Sequence, residues 1–254
     1  MIPLKSKSDL AMLRESGRIL AEVIFELEKS VVPGITTAEI DRVAEELISR
    51  RKVVPAFKGY RGFPAVSCVS VNEEIVHGIP GSRIIKDGDN VSIDLGVNYR
   101  GYFSDAAVTV IAGTPLPDMA RLVGVTRQAL YEGIKAAMVG CRLGDVSHAI
   151  QKFVERNGFS VVREFVGHGI GRELHEEPEV PNYGMPGRGP LLKEGMVLAI
   201  EPMVNMGTWR SEILDNGWTA VTGDRLPSAH FEHTVAVTDQ GPEILTGREG
   251  LGYA

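Results

Sequence analysis

Five apolar positions at helical spacing, Ile40, Val43, Ala44, Leu47 and Ile48, recur 106 residues later as Val146, Ala149, Ile150, Phe153 and Val154. Gly34 and Gly140 stand at the same offset. A chain that repeats an amphipathic helix in register has two equivalent apolar faces to bury, and two related halves do this most simply. The surrounding pattern follows the repeat. Leu10, Leu13, Ile19, Leu20, Val23, Ile24 and Leu27 predict a first helix, opened by a capping box of Ser6 and Asp9 and stopped by Pro33-Gly34. Thr36 and Glu39 form a second capping box ahead of the helix that carries Ile40. β-rich segments follow at 66–71, 74–79, 90–97 and 102–111. The segment Gly113-Thr114-Pro115-Leu116-Pro117 marks a boundary. A helix is expected from about Asp118 to Met138, with Gly140 as its stop, and further strands fill the second half. The expectation is one α+β domain over 1–254, with pseudo-related helix-helix-sheet halves of roughly 1–116 and 117–254. Chance alignment of two amphipathic helices is the plainer alternative.

The chain has 254 residues, 43% of them hydrophobic and 24% charged, which is ordinary for a soluble globular protein. Its net charge of −6 provides no basic field for nucleic acid, which argues against RNA or DNA as the main partner. Two cysteines, Cys68 and Cys141, are too few for a disulfide framework and fit a reducing compartment. The N-terminus lacks an apolar signal region, and the apolar runs Val66–Val71 and Val197–Ile200 are strand-sized rather than membrane-spanning. A cytoplasmic protein without a membrane partner is expected, and a cytoplasmic binding protein fits these numbers as well as an enzyme does.

Charge placement narrows the choice. Asp94 interrupts the apolar run Val91-Ser92-Ile93-Asp94-Leu95, and Asp105 lies in the next β-rich stretch. The turn Asn98-Tyr99-Arg100-Gly101 between them predicts a hairpin in which Asn98 faces Gly101 and Asp94 faces Asp105. Their Cβ atoms would then lie roughly 4.5–5.5 Å apart on one face. Two facing carboxylates repel, and a divalent cation between them reverses the sign. Taken alone, the pair fits two unrelated solvent-facing aspartates equally well. His168 sits in the glycine loop Gly167-His168-Gly169-Ile170-Gly171, Glu201 ends the run Met196–Ile200, and Glu232 precedes the strand pattern Thr234–Thr238. Each alone reads as a solvated rim or a satisfied core group. Buried together, four carboxylates would cost too much unless protonated or neutralised, and two divalent cations would balance them with the histidine neutral. Oxygen-rich donors with one imidazole suit Mn, Fe, Co or Zn.

Four motifs carry a family resemblance. They are Val71-Asn72-Glu73-Glu74-Ile75-Val76-His77-Gly78-Ile79-Pro80, the glycine loop with His168 leading to His175-Glu176-Glu177-Pro178, Glu201-Pro202-Met203-Val204, and Glu232-His233-Thr234. Together they resemble the methionine aminopeptidases over essentially the whole chain. The type I form is favoured, since no N-terminal zinc-finger extension and no large second-half insert is visible. The glycine–histidine motif alone is shared with prolidase and aminopeptidase P. The resemblance implies the pita-bread fold, two pseudo-symmetric halves around a central dinuclear site. It implies two divalent ions (Co, Mn, Fe or Zn) held by Asp94, Asp105, His168, Glu201 and Glu232, with Asp105 and Glu232 bridging. It implies removal of the initiator methionine from nascent proteins with a small second residue, by attack of a metal-bridged hydroxide on the scissile carbonyl. Glu201 would handle the proton, His175 the carbonyl oxygen and His77 the peptide nitrogen.

The family's methionine pocket maps onto Phe57, Tyr60, Phe63, Cys68, Leu174 and Trp218, of which Phe57 and Leu174 are less typical. Aromatics at such spacings are more often core, and Cys68 reads as a small wall residue rather than a nucleophile. Two further departures stand near the ligands. Gly96 occupies a position where threonine is common and supports the metal shell, so support there would be weaker or come from water. His230 occupies one where glutamine is common, and would act as a donor or a pH-sensitive neighbour. The implied partner is the N-terminus of a nascent polypeptide, near the ribosome by inference from the substrate, and a monomer is the default. Two rivals remain at this point. One is a prolidase-like or X-Pro aminopeptidase, which would usually carry an added N-terminal domain. The other is a non-catalytic pita-bread binding protein, which would have lost ligands.

Overall fold

A computed structural model describes residues 2–247, so residue 1 and residues 248–254 of the expected span lie outside the described residues. Two capping boxes start the first two helices as the sequence predicts. The Ser6 hydroxyl accepts from Asp9 N at 3.2 Å, and Thr36 does the same for Glu39 N at 3.2 Å. The helices are α1 (Lys7–Glu28), α2 (Thr37–Arg50), α3 (Pro117–Ala136) and α4 (Leu143–Arg156). The bounds of α2 and α4 differ by 106 at both ends, the offset of the sequence repeat. The turns before them also match: Gly34 N–H donates to Ile85 O at 2.8 Å, and Gly140 N–H to Leu192 O at 3.0 Å. The two-halved α+β architecture is therefore real and not an alignment coincidence.

Nine strands form the main sheet: β1 (Val54–Pro55), β2 (Cys68–Val71), β3 (Asn90–Tyr99), β4 (Tyr102–Ile111), β5 (Gly167–Gly169), β6 (Glu176–Val180), β7 (Val197–Ile200), β8 (Glu232–Thr238) and β9 (Gly241–Ile244). All their pairings are antiparallel, in the order β1-β3-β4-β8-β7-β5-β6, with β2 also on β3 and β9 also on β8. The halves join where β4 meets β8, at Ala107 opposite Glu232 and Ala106 opposite His233. Two three-stranded sheets lie outside this path. Ile93, Leu95, Val97 and Ala106 pack with α1 and α2 in the first core. Leu198, Ile200, Val235 and Val237 pack with α3 and α4 in the second. Side chains alternate across a strand, so Asp94, Asp105, Glu201 and Glu232 all turn to the opposite face. The helices insulate one side of the sheet and leave the acids on the other.

Two sequence expectations need correction. The β3–β4 hairpin pairs Tyr99 with Tyr102, not Asn98 with Gly101. Its loop is Arg100-Gly101, with φ of 52° and 84°, the two left-handed residues of a tight two-residue turn. The register moves by two, so Asp94 faces Ala107 and Asp105 faces Gly96. A shift of two keeps both carboxylates on one face, but makes the residues diagonal neighbours rather than directly opposed, with backbone positions roughly 7–8 Å apart and side chains still close enough to interact. The strand expected over 74–79 is only Glu74–Val76, in a small sheet with Ala220–Thr222. It stops because His77 takes a left-handed backbone, φ 59°.

Candidate active site

The acid-bearing face of the main sheet opens into a cavity of about 150 Å³. Its lining brings together Asp94, Asp105, His168, Glu201, Glu232, His77 and His175, together with Phe57, Tyr60, Phe63, Cys68, Leu174 and Trp218. Every residue singled out from sequence for ligand, catalytic or pocket roles thus lines one space. The strands explain why. β3 and β4 bring the two aspartates, β8 brings Glu232, the end of β7 brings Glu201, and β5 brings His168. Gly167 and Gly169 permit the last approach, since a Cβ on them would stand 2.3 Å from Ala199 O and 2.2 Å from Glu177 O.

Burial without a counter-charge governs the electrostatics. Burial, reinforced by neighbouring carboxylates, pushes Asp94, Glu201 and Glu232 well above the usual carboxylate range. Burial pushes Asp105 up to about 7. Asp94 Oδ1, Asp105 Oδ1 and Glu232 Oε1 are buried and have no hydrogen-bond partner among the described residues. Such orphaned oxygens are costly unless a cation satisfies them. His168 is held down to about 4 by burial, so it is neutral. Its Nδ1 lies 2.8 Å from Gly169 O, which can only accept, so Nδ1 carries the proton and Nε2 faces the acids with a free lone pair. Nε2 lies 4.0 Å from Asp105 Oδ2 and 3.7 Å from Glu201 Oε1. One donor atom each from Asp105, His168 and Glu232 falls within 4.8 Å of the others, and so does one each from Glu201, His230 and Glu232. The donor set fits divalent ions: hard oxygens in excess, at least one neutral imidazole, and carboxylates that need positive charge to ionise together.

Outside that cluster stand two histidines. His175 stacks on Tyr60 at 5.2 Å between ring centroids, with Nδ1 2.9 Å from the Tyr60 hydroxyl. Burial and the proximity of His168, Arg61 and His77 hold its pKa down. The following residue fixes its loop, because Glu176 accepts from Arg172 N at 2.7 Å and Glu173 N at 3.2 Å. Glu176 also pairs with Lys5, both side chains being under a tenth exposed. His77 meets Phe165 and Trp218 edge-on, at 5.6 and 6.3 Å between centroids. A bulky non-glycine residue in the left-handed region is a strained placement, and Thr219 Oγ1 secures it by donating to His77 O at 3.2 Å. Burial and the Asp94 charge push the Cys68 thiol well up, so it is an inert wall as its sequence context implies.

Sequence reasoning missed Arg61 and Phe165. Arg61 joins the cavity lining with its guanidinium carbon 5.4 Å from the centre of the Tyr60 ring. Phe165 wedges against His77 from the loop before His168. Neither had a marker beyond adjacency, since an exposed arginine and a lone phenylalanine are common anywhere. The space beside Gly96, where a threonine would support the metal shell, is taken by an apolar ring that offers no hydrogen bond. A Cβ there would stand 2.8 Å from Phe57 Cε1 and 3.0 Å from Ala56 Cβ, so the Phe57 ring fills the space of the missing side chain. The Phe57 ring and a side chain at position 96 thus compete for one space. Gly96→Thr should destabilise by about 1–3 kcal/mol through overpacking. Phe57→Ala in the same chain should recover part of this, with a coupling of roughly 0.5–3 kcal/mol in a denaturant double-mutant cycle. Additive effects would show that the ring and the glycine are independent.

Comparisons with known proteins show the family. Residues 11–239 match the model of metallopeptidase family M24. The chain is 55% identical to a methionine aminopeptidase of Clostridium perfringens, covering 97% of this chain and 99% of the relative. It is 52% identical to methionine aminopeptidase 1 of Bacillus subtilis over the same shares. It superposes on the crystal structure of a methionine aminopeptidase from Thermotoga maritima with a TM-score of 0.96 and 49% identity, covering 98% of this chain and all of that one. A prolidase from Pyrococcus furiosus matches at TM-score 0.78 and 23% identity, covering 97% of this chain and 66% of that one, which shows a shared fold only.

Proposed function

The chain belongs to metallopeptidase family M24, among its methionine aminopeptidases, and on that premise we propose a division of labour for the residues of the cavity. Asp94, Asp105, His168, Glu201 and Glu232 would hold two divalent ions (Co, Mn, Fe or Zn). The observation that carries this reading is the set of buried, unpartnered oxygens of Asp94, Asp105 and Glu232 in the cavity that the free Nε2 of His168 also faces. When bound, the ions supply Lewis acidity and a water of lowered pKa.

The remaining roles belong to side chains. Glu201, whose carboxylate keeps 13% exposure, takes the proton of the attacking water and returns it to the departing amine. His175 stabilises the carbonyl oxygen as charge develops, a role that requires the Tyr60 hydroxyl to donate to Nδ1 so that the His175 proton sits on Nε2. His77, held rigidly by its backbone, contacts the peptide nitrogen of the second residue. Tyr60, Phe63, Cys68 and Trp218, with Phe57 and Leu174, form the slot for the first side chain and exclude water. A cavity of this volume is on the scale of a site for one small organic group. An unbranched thioether fits it and adapts to its walls.

The substrate is the initiator methionine of nascent chains with a small second residue. We place the enzyme in the cytoplasm, near the ribosome, as a monomer with one catalytic domain. No helix of the described residues is long and apolar enough to cross a membrane.

The test is a matrix of short peptides that varies residue one with Ala second, and residue two with Met first. Methionine should be preferred strongly, with norleucine the best substitute, and lysine rejected because its charge would be buried unpaired. Gly, Ala and Ser should be accepted second, and Leu, Phe and Arg cleaved poorly. Efficient leucine or lysine release, indifference to a bulky second residue, or a preference for proline there would overturn the assignment.

A further inference from the structure

His230 ends the short strand Ser228–His230, one residue before β8, and stands outside the ligand set assigned above. The residue is 1% exposed, and its Nε2 has no hydrogen-bond partner among the described residues. That nitrogen lies 3.5 Å from Glu201 Oε2, while His168 Nε2 lies 3.7 Å from Glu201 Oε1. Two imidazoles therefore flank the two oxygens of one carboxylate. Both separations are too long for a good N–H···O hydrogen bond, which centres near 2.9–3.0 Å. They match the edge between two ligands of one ion: bonds of about 2.0–2.2 Å at tetrahedral angles put neighbouring donors roughly 3.3–3.6 Å apart. A donor atom of His230 also falls, with one each from Glu201 and Glu232, inside the second close triple of the cavity.

The backbone at His230 is held on both sides. His230 N–H donates to Thr109 Oγ1 at 2.9 Å, and the same hydroxyl donates to His230 O at 2.7 Å. Met203 pairs with His230 across the small sheet. A buried imidazole on so anchored a backbone, with a nitrogen near a carboxylate and no hydrogen-bond partner among the described residues, is either a lost hydrogen bond or a ligand.

We propose that His230 supplies a second imidazole nitrogen to the metal centre, on the Glu201–Glu232 side opposite His168. The proposal rests on the dinuclear reading above and extends its donor set from five residues to six. An added nitrogen moves the site away from an all-oxygen environment on that side, which favours Co, Fe or Zn over Mn.

Proton NMR of the cobalt(II)-loaded full chain counts coordinated imidazoles directly. Each one gives a strongly shifted, solvent-exchangeable ring N–H resonance. Two such resonances are expected in the unmodified protein, from His168 and His230, and one in His230→Gln. Cobalt affinity by calorimetry should fall about tenfold or more in the variant, the lower end of what metal-supporting residues cost when removed. Manganese affinity should fall less. One resonance in the unmodified protein, or two in both proteins with unchanged affinity, overturns the proposal and leaves His230 as a structural neighbour of Glu201. If the glutamine variant fails to fold, His230→Asn provides the same comparison, and a count of one in the unmodified protein overturns the proposal by itself. Failure to bind cobalt at all would remove the dinuclear reading itself, a result distinct from binding with a single histidine.

Discussion

Exhaustive chelation should abolish methionine release from a Met-Ala-Ser peptide, and added Mn, Co or Fe should restore it. The loss should exceed the roughly 10²–10³-fold cost of removing one oxyanion donor, because the electrophile and the activated water go together. His168→Ala should have nearly the same effect while leaving the fold intact, since the deleted ring is neutral. Full activity with no metal detected would sink the assignment. A stability measurement provides a second readout, and its sign follows from the direction of the shifts. Asp94, Glu201 and Glu232 titrate well above their unfolded values near 3.8 and 4.5, and Asp105 at about 7. Acids whose folded pKa is raised favour the folded state fully below the unfolded values, and that contribution is lost as pH rises through the folded ones. Metal-free protein should therefore lose stability as pH rises above the unfolded values and through about 7, where Asp105 titrates, the loss continuing as the other three carboxyl groups are forced to ionise beside it. Bound cations replace those protons, so the gap in Tm between loaded and metal-free protein should widen over that window. A gap that is constant or shrinks with pH would contradict a site in which metal replaces protons.

His175→Ala should lower kcat by roughly 10²–10³-fold, the scale of one oxyanion donor, with bound metal near the wild-type amount. The ring lies close to His168, 4.2 Å between centroids, yet it belongs to neither close donor triple. Its loop is anchored through Glu176 and Lys5 and not through the ligands, so deleting the ring leaves the metal shell standing. Metal analysis and peptide kinetics on the same preparation separate the two roles. If the variant purified without metal, His175 would have to be reassigned as a ligand.

Some of this molecule was legible in the amino-acid order. Capping boxes are local, so Ser6–Asp9 and Thr36–Glu39 announced their helices correctly. The 106-residue offset survived because it reports a periodicity of burial, and α2 and α4 obey it at both ends. The candidate ligands were legible because an acid inside an apolar strand is costly to ionise, and a nearby cation is one of the few environments that offsets this. Strand parity did the rest, since alternation puts Asp94 and Asp105 on one face whichever even register the hairpin adopts.

What the order left open depends on contacts between distant segments. Hairpin register turned on whether Tyr99-Arg100 or Arg100-Gly101 forms the loop, and only the backbone conformation shows that the second pair takes it. Nothing local to Gly96 says that Phe57, thirty-nine residues earlier, fills its empty side-chain space. The 3.5 Å approach of His230 to Glu201 likewise required two segments of the second half to meet across the sheet. Sequence by itself determined which residues carry charge into the apolar interior, and therefore what chemistry the chain must accommodate. Tertiary structure alone decided which of their atoms converge, because distances between donors are set by packing and register rather than by spacing along the chain.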